Sequence, residues 1–281
     1  GYPARGAGLP EADPSLHVAF FALLHDQPVD TPIVVYARDG SGNEARASFV
    51  DQVFPKRFRQ SRIPLDDRFL GRVVPEILAQ SPQLTVEKPD DLVTSFLAIN
   101  GTLRKLNAEY LEALAAKSPA ERLWKGPFVQ LGNSQVEAGF ADQRTYVYGG
   151  RDIDRQVHLG YDLAVTAAVP IAAANDGRVA HASWLGIYGN CVVVDHGFGI
   201  ASLYGHLSSI DVKPGDVVAK GQVLGRSGMT GLAGGDHLHF SVLVGGQPVN
   251  PVEWWDGHWM GDRVERKLVD AGAAPAAAAT R

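Results

Sequence analysis

Four histidines and one aspartate in the second half of this chain have the types and spacings that do chemistry. His237 and His239 stand one residue apart in Asp236-His237-Leu238-His239-Phe240. In an extended strand, residues i and i+2 share a face and lie roughly 7 Å apart at Cα. The two imidazoles therefore project together, while Leu238 and Phe240 turn to an apolar side. Far upstream, His158-Leu159-Gly160-Tyr161-Asp162 offers a nitrogen and a carboxylate oxygen. Four extended residues span roughly 13 Å, too far for two ligands of one ion, and Gly160 supplies the bend that brings ring and carboxylate together. Three N/O donors with a fourth position left open are what a catalytic zinc needs. The His158–Asp162 segment alone fits a structural, salt-bridged aspartate equally well.

His206 lies in Leu203-Tyr204-Gly205-His206-Leu207. Strand alternation puts Tyr204 and His206 on one side and Leu203 and Leu207 on the other. Its near-neutral pKa suits it to move a proton or stabilise charge. The remaining histidines point elsewhere: His196 to a turn after a strand, and His17, His25, His181 and His258 to structural positions without partners at ligand spacing. The single cysteine, Cys191, cannot form an internal disulfide and is expected as a buried thiol in Cys191–Val194. The Trp254–Trp259 cluster is expected to pack rather than to stack on sugars.

These residues need elements to position them. Residues 1–15 are Gly/Pro/Ala-rich and expected to be flexible. Residues 16–60 suit a small β module, with Ile33–Ala37 and Ala45–Val50 joined by the turn signal Asp39-Gly40-Ser41-Gly42-Asn43; it resembles the last strands of bacterial immunoglobulin-like domains. Residues 61–120 change to helical spacing. Leu70, Val73, Val74, Ile77 and Leu78 follow Asp66-Asp67, and Leu92 through Leu114 follow Asp90-Asp91, predicting a helical hairpin. From Phe128 the period becomes two, with strands at 144–148, 162–165, 177–183, 190–196, 200–207, 216–221 and 237–244. The expectation is α+β overall: a mainly antiparallel catalytic domain over 121–262, barrel- or sandwich-like, and a tail over 263–281 disordered at its Ala-rich end.

The bulk numbers narrow the function. A net charge of −5 over 281 residues, with sparse basic patches, gives no reason to expect nucleic acid. No run of eighteen apolar residues predicts a membrane span. The chain opens at Gly1-Tyr2-Pro3 without a signal segment, as a trimmed exported protein would.

Together His158–Asp162, Leu203–Ser208 and Asp236–Phe240, with Tyr188–Gly197, Val212–Gly225 and Pro248–Pro251 around them, resemble the lysostaphin/LytM-type zinc endopeptidases of peptidoglycan over about residues 128–256. The resemblance implies one zinc ion held by His158, Asp162 and His239, with His206 and His237 as catalytic histidines. His237 is favoured as general base and His206 as stabiliser of the tetrahedral intermediate, roles that can be exchanged. It implies hydrolysis of stem peptides or cross-links of peptidoglycan, in the periplasm or cell envelope. The other reading is a non-catalytic scaffold of the same fold that activates a cell-wall amidase; such relatives are expected to lose ligands, and here all five positions are filled. A regulatory partner, or occlusion of the groove by the N-terminal half, is left open. The Val212–Gly225 block also resembles biotinyl and lipoyl carriers, but Lys213 and Lys220 lack the required hairpin setting.

Overall fold

The turn signal at Asp39 acts through its side chain. Its carboxylate accepts from the backbone N–H groups of Ser41 and Asn43, closing a hairpin of β1 (Val34–Arg38) and β2 (Glu44–Ser48). Every residue of both strands is exposed, and among the described residues they pair only with each other. Within the range expected to form a small immunoglobulin-like module, whole or partial, the described residues show this two-stranded ribbon and a short pairing of His17–Val18 with Ala7–Gly8. The structure is a computed structural model that describes residues 17–48 and 54–272, with the backbone of 7–8. Most of the flexible segment expected at 1–15, and the end of the expected tail, lie outside the described residues.

After β3 (Gln60–Leu65) comes α1 (Asp67–Gln80), capped by the Asp66 carboxylate on the Phe69 N–H. Asp91 caps α2 (Leu92–Ala98) in the same way, and a π-helical turn carries that helix into α3 (Arg104–Ala115). Leu70, Val73, Ile77, Phe96 and Leu103 then bury against Leu65, Tyr146 and Ile187.

The rest of the chain supplies β4 (Gln135–Ala138), β5 (Asp142–Tyr148), β6 (Arg151–His158), β7 (Tyr161–Ala164), β8 (Gly177–Trp184), β9 (Asn190–Gly197), β10 (Ile200–Leu207), β11 (Val217–Val218), β12 (His237–Val244) and β13 (Gln247–Val249). The main sheet has eight strands in the order β11-β8-β9-β10-β12-β7-β4, with β13 beside β12, and its pairings are antiparallel. The order does not return on itself, so the sheet is open and not a closed barrel. A second sheet sets β5 between β6 and β3, and the β3–β5 pairing is parallel. The sequence did not anticipate that strand.

Both faces of the central strands are covered. Val192, Val194, Tyr204, Phe240 and Val242 pack with Trp124, Phe128 and Trp254 on one face, and Cys191, Val193, Leu203 and Leu243 pack with Leu111 on the other. Every residue of β10 and β12 is accordingly buried, and each large apolar side chain so placed contributes ~1.5–3 kcal/mol. One polar chain crosses this core. The Asp176 carbonyl only accepts, so His196 Nδ1 donates to it at 2.7 Å. His196 Nε2 then accepts from Ser202 Oγ, which accepts from the Tyr204 hydroxyl, which accepts from the Ala174 N–H. His196 thus lies inside the core at the end of β9, where burial pushes its pKa down to about 4. The helical run from Gly257 to Asp270 buries Val264 and Leu268 in the same core, so the boundary expected at 262 falls within it.

Candidate active site

Pairing of β12 with β7 sets His239 opposite Asp162, and pairing with β10 sets it opposite Gly205. The end of β6 delivers His158, and Leu159-Gly160 bends the chain back. Three ligand atoms meet there: His158 Nε2 lies 2.9 Å from Asp162 Oδ1 and 3.0 Å from His239 Nδ1, and His239 Nδ1 lies 3.0 Å from Asp162 Oδ1. Gly160 is needed for this approach, since a Cβ there would sit 2.6 Å from the His239 ring and from Ser241 Oγ.

The protons are placed by the outer partners. His158 Nδ1 is 3.1 Å from the Gly139 carbonyl, which only accepts, so Nδ1 carries the proton and Nε2 is bare. Ser241 Oγ donates to the Leu159 carbonyl at 2.9 Å, so it accepts from His239 Nε2 at 3.1 Å and leaves Nδ1 bare. Arg144 Nη2 occupies Asp162 Oδ2 at 2.8 Å, leaving Oδ1. Three lone pairs converge with no proton between them. That arrangement is repulsive by itself, and a cation at the point of convergence relieves it. Two imidazole nitrogens and one carboxylate oxygen make a zinc-type donor set.

The support extends outward. Arg144 is also 3.6 Å from the buried Asp142 carboxylate, which accepts from Ser61 Oγ on β3 at 2.8 Å. Burial disfavours the charge on Asp162, the histidines around it favour it, and its carboxyl is held well below the usual range.

His206 and His237 complete the cluster from another side. His206 Nδ1 donates to the Thr230 carbonyl at 2.8 Å and His237 Nδ1 to the Gly235 carbonyl at 2.9 Å, so each ring presents a bare Nε2. The His237 Nε2 lies 3.5 Å from Asp162 Oδ1, and the His206 ring centroid is 4.8 Å from that of His237 and 5.8 Å from that of His239. His206 does not share the face of Tyr204, as simple alternation predicted. Its φ is +64°, and this left-handed residue switches the strand: Tyr204 and Leu207 enter one core while His206 joins His237 and His239 on the other face. Such a conformation costs ~1–2 kcal/mol in a non-glycine residue. Burial lowers the His237 pKa, but the Asp162 carboxylate more than offsets it and the net shift is upward. Burial, with His237 and His239 beside it, holds His206 well below its ordinary value.

All five expected site residues come together within this cluster. His181 bonds Tyr110 and Ser183 elsewhere, and Trp254 and Trp255 pack on Phe128 and on Tyr161 and Phe240. Sequence reading missed Arg144, Ser241, Thr230 and Gly235. The period of two that grouped His237 with His239 extends to Ser241; the two carbonyls carry no side-chain signal.

Residues 156–251 match the family model of peptidase family M23. The chain carries an M23 peptidase domain. Over 97 residues it is 40% identical to the DD-carboxypeptidase/endopeptidase Mpg of Neisseria meningitidis, covering 34% of this chain and 22% of that protein. It is 30% identical over 161 residues to the peptidoglycan DD-endopeptidase ShyA of Vibrio cholerae, covering 57% of this chain and 34% of the relative. The murein hydrolase activator EnvC of Escherichia coli is 40% identical over 95 residues, 34% of this chain and 23% of its own. The chain thus spans about a fifth to a third of these relatives' lengths. Among solved structures, the lysostaphin catalytic domain of Staphylococcus simulans aligns at 28% identity and TM-score 0.38, over 44% of this chain and 92% of that one. No helix of the described residues is long and apolar enough to cross a membrane.

Proposed function

We propose that this M23 protein is a zinc-dependent endopeptidase that cleaves stem peptides or cross-links of bacterial peptidoglycan, in the periplasm or cell envelope where that polymer lies. The observation that carries the reading is the convergence of three bare donor atoms beside two histidines that each present a bare nitrogen. His158, Asp162 and His239 would hold one zinc ion per chain, which when bound polarises the scissile carbonyl and acidifies water.

The chain's own groups handle the protons. His237 takes the proton of the attacking water at Nε2, and the Asp162 carboxylate 3.5 Å away favours the imidazolium that results. It returns that proton to the leaving amine. His206, kept neutral by burial, accepts at its bare Nε2 a hydrogen bond from the attacking water and, in the tetrahedral intermediate, from the hydroxyl which that water becomes. The carbonyls of Gly235 and Thr230 hold each ring in one tautomer throughout.

The likeness to Mpg and ShyA supports a substrate in peptidoglycan, and the likeness to EnvC favours a second reading, activation of a cell-wall amidase. The retained donor set weighs for the enzyme. The test is incubation of the purified chain with peptidoglycan, with mass spectrometry of released fragments and a zinc assay. Chelator-sensitive release of peptide fragments is the expected result. Absence of both bound zinc and chelator-sensitive cleavage would overturn it, and stimulation of an added amidase would select the second reading.

A further inference from the structure

The two candidate catalytic histidines take their orienting carbonyls from one loop, Met229 to Asp236, but that loop is secured unequally. Thr230 is pinned by its own side chain: its hydroxyl donates to the Leu207 carbonyl at 2.9 Å and accepts from the Asn190 N–H at 3.0 Å. The Leu232 N–H adds a bond to the Ile187 carbonyl at 2.9 Å. The acceptor of His206 is thereby fixed by the sheet and its neighbouring turn. Gly235, the acceptor of His237, follows another glycine. Both are exposed, and nothing lies within 4 Å of a Cβ placed on either. Two successive glycines with no packing have the largest conformational freedom to lose.

What borders that pair comes partly from outside the family match. Arg72 on α1 bonds the Met229 carbonyl through Nη1 at 3.3 Å and the Ala233 carbonyl through Nη2. Glu76, one turn on, accepts from the Gly231 N–H. On the far side, Asp236 Oδ2 accepts from the Ala168 N–H at 3.3 Å. The guanidinium fork suits this task because its planar donors can meet two carbonyls at once.

We propose that Arg72 is a positioning residue for His237, acting through Ala233 and the Gly234-Gly235 pair. Without it the Ala233 carbonyl loses its charged donor, the glycine pair gains freedom, and the Gly235 carbonyl no longer stays opposite His237 Nδ1. His237 then samples both tautomers, while His206 keeps its partner. Helix α1 would thus hold up one half of the proton-handling pair.

The kinetic part of the test rests on the peptidase reading; the spectroscopic part does not. The full zinc-loaded chain, with ¹⁵N-labelled histidine, is compared as wild type, Arg72→Ala, Arg72→Lys and Arg68→Ala, the last an exposed position on the same helix. Long-range ¹H–¹⁵N correlations distinguish Nδ1–H from Nε2–H rings. In Arg72→Ala, His237 alone is expected to lose its single-tautomer pattern, zinc content to stay as in wild type, and kcat on peptidoglycan to fall on the order of 10- to 100-fold with KM little changed. Arg72→Lys, with one point of contact, should fall between, and Arg68→Ala should match wild type. An unchanged His237 pattern in Arg72→Ala overturns the proposal. So does a joint change in all four site histidines with loss of zinc, which would make Arg72 a support of the fold alone. Should the wild type cleave nothing, the peptidase reading fails and the tautomer result still decides this one.

Discussion

The two halves of the site are held by different means. The proposed ligands His158, Asp162 and His239 come from strands β6, β7 and β12 and are fixed by side chains, Ser241 and Arg144, or by a carbonyl next to β4. The proposed proton carriers His206 and His237 sit at strand ends and lean on carbonyls of one glycine-rich loop, one of them through a left-handed backbone. Ligand geometry tolerates little displacement, so it is built into sheet register. Proton handling needs a fixed tautomer and some freedom of the ring, which a loop carbonyl provides.

That contrast can be broken by substitutions that should separate metal from turnover. Asp162→Ala or His239→Ala is expected to leave less than stoichiometric zinc by metal analysis and to lower cleavage on the order of 10³-fold or more. His206→Ala or His237→Ala should keep zinc near one per chain and lower kcat on the order of 10²- to 10⁴-fold. Zinc loss in the second pair would erase the division. Arg144→Ala frees the second Asp162 oxygen without removing a ligand, so chelator competition should show zinc bound about 10- to 100-fold more weakly. Gly160→Ala should act in the same direction, since its methyl group would press on the His239 ring.

The smallest effect tests the scaffold beneath both halves. His196 belongs to neither, and its pKa is pushed down to about 4 by burial. The unfolded chain, with an ordinary histidine pKa near 6.5, binds the proton first as pH falls. Stability from this residue is therefore complete above about pH 6.5 and is lost progressively toward pH 4, on the order of 1 kcal/mol at pH 5.5. Denaturant unfolding across that range should show a shallower pH slope for His196→Gln than for wild type.

Much of the site was legible because its chemistry is carried by side chains with fixed periods. His237 and His239 needed only alternation, and Gly160 announced the bend. Most strands of the main sheet were legible from their turns. Less visible was anything that depends on a long-range pairing or a single dihedral. Nothing in Gln60–Leu65 says that it will pair with Asp142–Tyr148, because a short run containing Pro64 carries no partner information. The left-handed turn at His206 breaks the alternation that would otherwise place it in the apolar core. Extension of the domain past 262 was hidden by the Ala-rich composition that follows it.

The parallel β3–β5 pairing bears on how this protein can be cut. A fragment trimmed to residues 121–262 loses β3, and β5 becomes an open edge with a row of unanswered N–H and C=O groups. The same cut removes Ser61 from Asp142 and Arg72 from its loop. Such a fragment would keep every ligand but replace the edge of β3, interrupted by Pro64, with the longer edge of β5, a template for strand addition by other chains, so a boundary that keeps this sheet intact begins before Gln60.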